Sequence, residues 1–379
     1  VRIQLRIYDR SGVLVKILQN EELIAINFSV VLNDVGVLAF TLPYDESRYP
    51  LSIFPLDTLA EVYIEKTISA QALKVGTYMI RQTQIYREKG QPGEYLVFGA
   101  LDLNHFLHRR VIDPADDPVA ADSFVTRAGD AVQVMRDYAY YQLGEGASVS
   151  RRIPGLTVTM VGTGQYVAGR YRYDDNLFDI FEELSYKGKS DFYVQRTTAN
   201  NFELVIGRRG SDKTYSANFP FATTLPVVFD PRRGNLIDPE LEIDRRDEVT
   251  YFYGMGEGQN AGQDIYRYPM TARIDDSPYN RIETTADTAN GDNQEYTIQR
   301  LITETVLKAN KLAPKQTLKF ELPSYLVTAD YKVIWDIGDD VTVYYKDFQI
   351  DMRIQSVEFK LDGRKTPTVE VEIKERRIE

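Results

Sequence analysis

At both ends of the chain, apolar and polar residues alternate with a period of two. Phe348, Ile350, Met352 and Ile354 interleave with Gln349, Asp351, Arg353 and Gln355, the signature of a strand with one face turned inward. Val341, Val343 and Tyr345 do the same on a preceding strand, and Lys346-Asp347 is short enough to be the hairpin turn. Beyond Gln355 the apolar phase slips by one, to Val357, Phe359 and Leu361. Such a slip predicts a bulge, or a strand that leaves one sheet to face another. Asp362-Gly363 then turns the chain into Val369, Val371 and Ile373.

The N-terminal end reads the same way. Ile3, Leu5 and Ile7 form one apolar row, Asp9-Arg10-Ser11-Gly12 a turn, and Val13, Val15 and Ile17 the return strand. Ile24, Ile26, Phe28, Val30 and Leu32 predict a longer strand. Asn33-Asp34-Val35-Gly36 turns it into Leu38, Phe40 and Leu42, ended by Pro43. Further strands are expected at Leu59–Glu65, Leu73–Tyr86 and Glu94–Gly99, giving one antiparallel β unit, closed or partly closed.

The middle is different. After a proline-punctuated loop at Asp113–Pro118, the residues Ala131, Val134, Met135 and Tyr138 recur at helical spacing, with Asp130 as cap and Gly144 as stop. Leu177, Ile180, Phe181 and Leu184 form a second helical stripe. Asp174 and Asp175 complement its start, and Gly188 is its expected stop. Strands at Asp191–Arg196 and Phe202–Gly207 follow, joined through Ala199-Asn200-Asn201. The most amphipathic helix comes later: Ile298, Leu301, Ile302, Val306 and Ala309 share a face, Asp292 and Glu295 make a capping-box pattern, and Pro314 bars continuation. The fold class is therefore mainly β with an α+β insertion. No internal repeat or low-complexity segment is found.

Composition narrows the function. At 379 residues, 43% of them hydrophobic, the chain can hold two or three packed units. No apolar run approaches the roughly 20 residues of a membrane helix, so no stable membrane insertion is expected, and the N-terminus shows no signal-peptide pattern. Cysteine is absent, which removes disulfides, thiolate metal sites and thiol nucleophiles. A formal charge of −11 has the wrong sign for general nucleic-acid binding. The arginine pairs, such as Arg208-Arg209 and Arg245-Arg246, are scattered and read as ion pairs and solvated faces. The 26 tyrosines suit half-buried strand faces and interfaces.

Candidate chemistry is sparse. Asp102, His105 and His108 fall at three-residue intervals, yet a metal needs a further ligand; an amphipathic turn burying Leu103, Phe106 and Leu107 explains them equally. Gly254-Met255-Gly256-Glu257-Gly258 opens a glycine-rich loop, in which Gly256-Glu257-Gly258-Gln259-Asn260-Ala261 matches a tolerant dinucleotide fingerprint. No helix follows it, because Ile265, Tyr266 and Tyr268 lead to Pro269. The acidic pairs Asp116-Asp117, Asp275-Asp276 and Asp339-Asp340 suggest glycosidase carboxylates, but sequence sets no separation for them. Asn290-Gly291-Asp292 lacks the register of a calcium loop. No catalytic residue, cofactor or metal is assigned.

Taken in order, the motifs resemble the baseplate hub or tail-tip proteins of siphophages, a family related to the central hub of contractile tails. Ile7-Tyr8-Asp9 with Asn33–Pro43 is similar to the N-terminal signature, and Gly99–Leu103 with Leu107–Ile112 to the segment after the first barrel. Asn176–Ile180, Phe192–Val194, Gly210–Lys213, Val228–Asp230, Gly234–Leu236 and Tyr253–Gly258 follow in the family's order. Asp336–Thr342 with Arg353-Ile354 closes the match.

The resemblance implies three domains: a tail-tube-like β-barrel over 1–112, an α+β domain over 113–235, and a second β domain over 236–379. The last would hold the helix at 294–312 and C-terminal strands completing a barrel. It also implies a homotrimer closing the distal end of the tail tube, adapting six-fold to three-fold symmetry and opening as a channel for DNA ejection. Partners would be the distal tail ring, the tape-measure protein and a spike or fibre, with DNA only in transit through an acidic lumen. The setting would be the virion tail tip after synthesis in the host cytoplasm. With the chain ending at Glu379, no lytic domain is expected. The motif positions Gly36, Pro43, Arg109, Arg110, Gly254, Gly256, Gly258, Gly338, Asp339 and Asp340 are its candidate interface residues. A receptor- or glycan-binding tail protein, or a tail-associated glycosidase, are the alternative readings.

Overall fold

A computed structural model describes residues 2–65, 72–87, 93–121, 123–218, 225–258, 263–275, 277–287, 298–323, 326, 331–362 and 368–375. The chain forms two compact units, one of Val1–Glu240 with Lys319–Ile373, the other of Leu241–Leu318 with Lys374–Glu379. The expected turn after Asp362, the Asp292–Glu295 capping-box pattern, the Asn290-Gly291-Asp292 segment and most of the loop after Gly258 lie outside the described residues.

The first unit opens with β1 (Arg2–Tyr8), β2 (Leu14–Gln19), β3 (Ala25–Val31), β4 (Val37–Pro43), β5 (Leu59–Glu65), β6 (Ala72–Tyr86) and β7 (Tyr95–Asp102). A one-turn helix α1 (His105–His108) follows. The insertion comprises β8 (Ala120–Ala121), β9 (Phe124–Asp130), α2 (Ala131–Gln142), β10 (Leu156–Val161), β11 (Tyr166–Arg172), α3 (Leu177–Gly188), β12 (Phe192–Thr198) and β13 (Asn201–Gly207). After α4 (Tyr215–Asn218) come β14 (Val228–Phe229) and β15 (Ile237–Asp244). The second unit holds β16 (Tyr251–Met255), β17 (Ile265–Pro269), α5 (Thr271–Ile274), β18 (Glu283–Asp287) and α6 (Ile298–Lys311). The chain ends in β19 (Lys315–Leu322), β20 (Asp340–Tyr345), β21 (Phe348–Asp362) and β22 (Thr368–Glu375).

Sequence-distant strands share one sheet. Its order is β15-β19-β22-β21-β3-β4-β7-β6-β5-β1-β2, with β20 on β21 and β14 on β20. Among the described residues the pairings run as a path and do not close into a ring. The slip after Gln355 marks a change of partner: β21 is one unbroken strand whose first part pairs with β20 and whose second part, Ser356–Asp362, pairs with Val31–Ala25 of β3. Met352, Ile354, Val357, Phe359 and Leu361 are all buried. Phe28 stacks on Phe359 at 4.5 Å and Phe40 on Phe98 at 4.7 Å across neighbouring strands, pairs that add to ordinary burial. Most pairings are antiparallel; β10 with β13, β14 with β20 and β16 with β18 are parallel.

The insertion packs α2 and α3 against short sheets around Tyr138, Phe181 and Phe192. Asp130 caps α2 by accepting from the N–H groups of Val132 and Gln133. Asn176, one residue past the expected acidic pair, caps α3. Gly188 lies inside the last turn of α3, and Lys189 takes the left-handed position at φ 49°. A Cβ at Gly188 would lie 2.0 Å from that of Ala131, so this glycine serves close helix packing and does not supply the turn.

In the second unit, α6 buries Leu301, Thr305 and Ala309. The expected stripe through Ile298 is rotated, and Ile298 is exposed. A Cβ at Gly254 would meet Thr305 Oγ1 at 2.1 Å, so glycine there lets the helix settle on β16 through the threonine.

Candidate functional site

The sequence motifs of the first unit converge on a buried polar junction. Asp191, 1% exposed, stands between α3 and β12. Its Oδ1 accepts from Asn33 Nδ2 at 2.9 Å, and its Oδ2 accepts from the Arg209 N–H at 2.7 Å and Arg353 Nη2 at 2.6 Å. Arg353 also donates to the carbonyls of Gly338 and Arg209, at 2.9 and 2.8 Å. Asn33 returns a bond to the insertion, accepting from the Phe192 N–H at 2.9 Å. One carboxylate thus ties the β3–β4 turn, the start of β12 and the middle of β21.

Asp339 and Asp340 extend the junction. Asp339 accepts from the N–H groups of Ser211 and Asp336, both at 2.7 Å, and from Lys213 Nζ at 2.8 Å. Asp340 pairs with Arg208 and exchanges backbone hydrogen bonds with Ser211 and Lys213. Both carboxylates are buried against donors of their own chain, which leaves neither facing solvent where a glycan could reach. Gly338 makes the turn possible. Its φ is 86°, and a Cβ would come within 2.5 Å of the Arg209 carbonyl oxygen, conditions that only glycine meets without strain.

Gly36 is held as tightly. Its N–H donates to Asp102 Oδ2 at 2.9 Å, and its carbonyl accepts from the Asp102 N–H at 2.9 Å. Beside it, Asn104 donates to the Asp34 carbonyl at 2.7 Å and accepts from the Val194 N–H at 2.8 Å. Asp102, proposed in sequence as one of three metal-spaced residues, is therefore committed to backbone donors. His108 stacks on Phe178 at 3.9 Å. Burial, with the charge of Arg109 added, holds His105 down to about 4. Among the described residues no three His, Asp or Glu side chains are placed to hold a metal.

Burial pushes the Asp102 carboxyl up to about 7, against the opposing pull of the Gly36 and Asn104 N–H groups. The usual value is 3.8, so between about pH 4 and 7 the native state keeps a proton that the unfolded chain releases. The stability contributed is fully present below that window and is lost as pH rises through it. Relative to Asp102→Asn, the wild-type urea midpoint is expected to fall from pH 5 to pH 8; parallel profiles would refute the assignment.

The remaining sequence positions are dispersed. Pro43 ends β4, exposed, opposite Tyr95. Arg109 Nη2 lies 3.4 Å from Asp57 and 3.1 Å from Met79 Sδ, and Arg110 donates to the Arg151 carbonyl at 2.8 Å. In the second unit, the Gly256 N–H donates to the Asp264 carbonyl at 2.8 Å across the β16–β17 hairpin, and Gly258 has φ 102°. That hairpin confirms a strand where a nucleotide-binding helix would be required.

A second junction was not visible in the sequence. Buried Glu61 accepts from Lys74 Nζ at 3.0 Å and Tyr63 Oη at 2.9 Å, with Arg196 Nη1 at 3.3 Å. Arg196 also donates to the Gly12 carbonyl at 3.0 Å and lies over the Tyr8 ring. No local pattern flags these residues, since each is an ordinary polar position of a strand.

Similar folds are known. The chain superposes on the 43 kDa tail protein of prophage MuSo2 from Shewanella oneidensis with a TM-score of 0.63 at 11% identity, covering 98% of each chain. A tail protein from Neisseria meningitidis MC58 gives 0.61 at 14%, covering 98% of this chain and 96% of that one. Prophage tail protein gp18 from Listeria monocytogenes EGD-e gives 0.56 at 12%, covering 99% and 95%. No curated protein sequence matches. The family model described as siphovirus ReqiPepy6 Gp37-like protein matches residues 4–373. With the whole ordered set of motifs inside that span, the chain belongs to the siphovirus ReqiPepy6 Gp37-like family, and its fold is that of phage tail proteins.

Proposed function

We propose that this protein is the hub of a phage tail tip or baseplate. It would act as a homotrimer that closes the distal end of the tail tube, adapts its six-fold symmetry to a three-fold tip and opens for DNA ejection. Its partners would be the distal tail ring, the tape-measure protein and a spike or fibre. The role is assembly, with no reacting group held in place.

The observation that carries this reading is the edge strand β2. Among the described residues it ends the sheet and pairs with β1 alone, and it exposes Leu14, Val15 and Ile17 at 43%, 39% and 38%, with Val13 just before it at 59%. Soluble proteins blunt such edges with charge or proline. Here the one charge in the strand, Lys16, lies toward the Tyr49 ring. The tip of the β1–β2 hairpin is pinned by Asn200 Nδ2 on the Arg10 carbonyl at 2.9 Å, so the apolar edge is preorganised for a protein contact.

Light scattering on the purified chain should give three copies, and Ile17→Lys should weaken their association at least tenfold while leaving the fold intact. A strictly monomeric wild type at high concentration, or particle images with no three-fold density for the chain at the tip, would overturn the reading.

A further inference from the structure

A different edge points to a different partner. β6 is hydrogen-bonded on both sides as far as Ile80, which exchanges bonds with Asp57 and Thr58 just before β5; beyond it Arg81 is the extra residue of a bulge, and among the described residues Gln82–Tyr86 pair with β7 alone. Burial changes at the same place: Val75 and Thr77–Ile80 are buried, while all six residues from Arg81 to Tyr86 are exposed, Ile85 at 44%. A free strand edge is a template for another strand. Beside it lies an open cavity of about 500 Å³ lined by Leu51, Phe54, Pro55, Leu56 and the first residues of the free edge. Leu51 and Leu56 are exposed there.

Charge supplies the third observation. Arg81 and Arg109 both reach for Oδ1 of Asp57, and Arg10 donates to the Leu56 carbonyl through Nε and Nη2 at 3.0 and 2.9 Å. Two guanidinium groups thus share one carboxylate, a third sits on the neighbouring Leu56 carbonyl, and Arg109 Nε is buried with no acceptor. The surplus is cationic on a chain whose net charge is −11.

We propose that the Arg81–Tyr86 edge, with the Leu51–Leu56 shelf, binds an extended segment of a separate partner polypeptide in which carboxylates alternate with apolar side chains. The main chain of that segment adds to β6, its apolar side chains enter the shelf at every second residue, and its carboxylates meet Arg81 and Arg109. The two-residue period of a strand is what lets one segment satisfy both demands. Arginine is suited to the anionic half, because its planar fork matches a carboxylate with two donors. This site is separate from β2 and holds whether or not the hub reading does.

The test is fluorescence anisotropy with the full chain and a labelled, terminally blocked octapeptide of alternating valine and glutamate. Saturable binding is expected. Arg81→Glu and Leu56→Glu should each weaken it at least tenfold; both side chains are exposed, so unchanged Trp335 emission should confirm the fold. A peptide with lysine for glutamate, and one N-methylated at alternate amides, should not bind. Equal binding of either control peptide, or indifference to both substitutions, would overturn the proposal. So would loss of the chain's own self-association in Arg81→Glu, which would make the occupant a second copy.

Discussion

Arg353→Ala is expected to lower the stability of the first unit by about 3 kcal/mol, the lower end of the 3–5 kcal/mol found when one partner of a buried ion pair is removed. The lower end applies because the Arg353 side chain is 18% exposed whereas Asp191 is 1% exposed. Truncation would leave the Asp191 carboxylate with only neutral donors, and the Gly338 and Arg209 carbonyls would each lose a donor. Arg353→Lys should recover part of the loss at most, since one ammonium cannot reproduce the spread of a guanidinium across three acceptors. The single tryptophan of the chain, Trp335, is buried in this unit. Its fluorescence in a urea titration therefore follows the first unit's transition, which matters because a two-unit chain need not unfold in one step. A loss below about 1 kcal/mol, within the range of surface pairs, would remove the junction from the list of features that hold the fold.

Phe359→Ala is expected to cost about 3–5 kcal/mol, as phenylalanine truncations in cores do. Phe359 is fully buried, stacks on Phe28 at 4.5 Å and has the Tyr331 ring 5.7 Å away. Because Phe28 and Phe359 face each other across the β3–β21 pairing, the two alanine substitutions should be non-additive. A coupling of about 0.5–1.5 kcal/mol is expected for a stacked pair. Additive losses would show that each ring is held by its surroundings and not by the other.

What could be read from the sequence was local. The alternation of Ile3, Leu5 and Ile7, the turn at Lys346-Asp347 and the stripe of α3 each depend on neighbours within a few residues, and each is found in place. The slip after Gln355 was visible, but its meaning was not, because the second partner of β21 lies near the other end of the chain. Arg353 shows the limit most clearly. The period of two assigns it to a solvated row, yet it faces Asp191, because the insertion covers that side of the sheet. β9–β11 carry too little apolar alternation to mark them as strands: Phe124–Asp130 buries only Val125. Gly36, Gly338, Asp339 and Asp340 were singled out through resemblance, and the geometry gives the physical reason for the residue types at those positions.

The pairing of Ala25–Val31 with Ser356–Asp362 has a consequence for biosynthesis. β3 emerges from the ribosome roughly 330 residues before its neighbour exists, which at ~5–20 residues per second leaves its border uncovered for about 16–66 s. On a message carrying several ribosomes, adjacent nascent chains then expose the same apolar border side by side. A late-arriving C-terminus can complete the sheet of the wrong molecule, so chaperone cover over this interval bears directly on the yield of correctly folded protein.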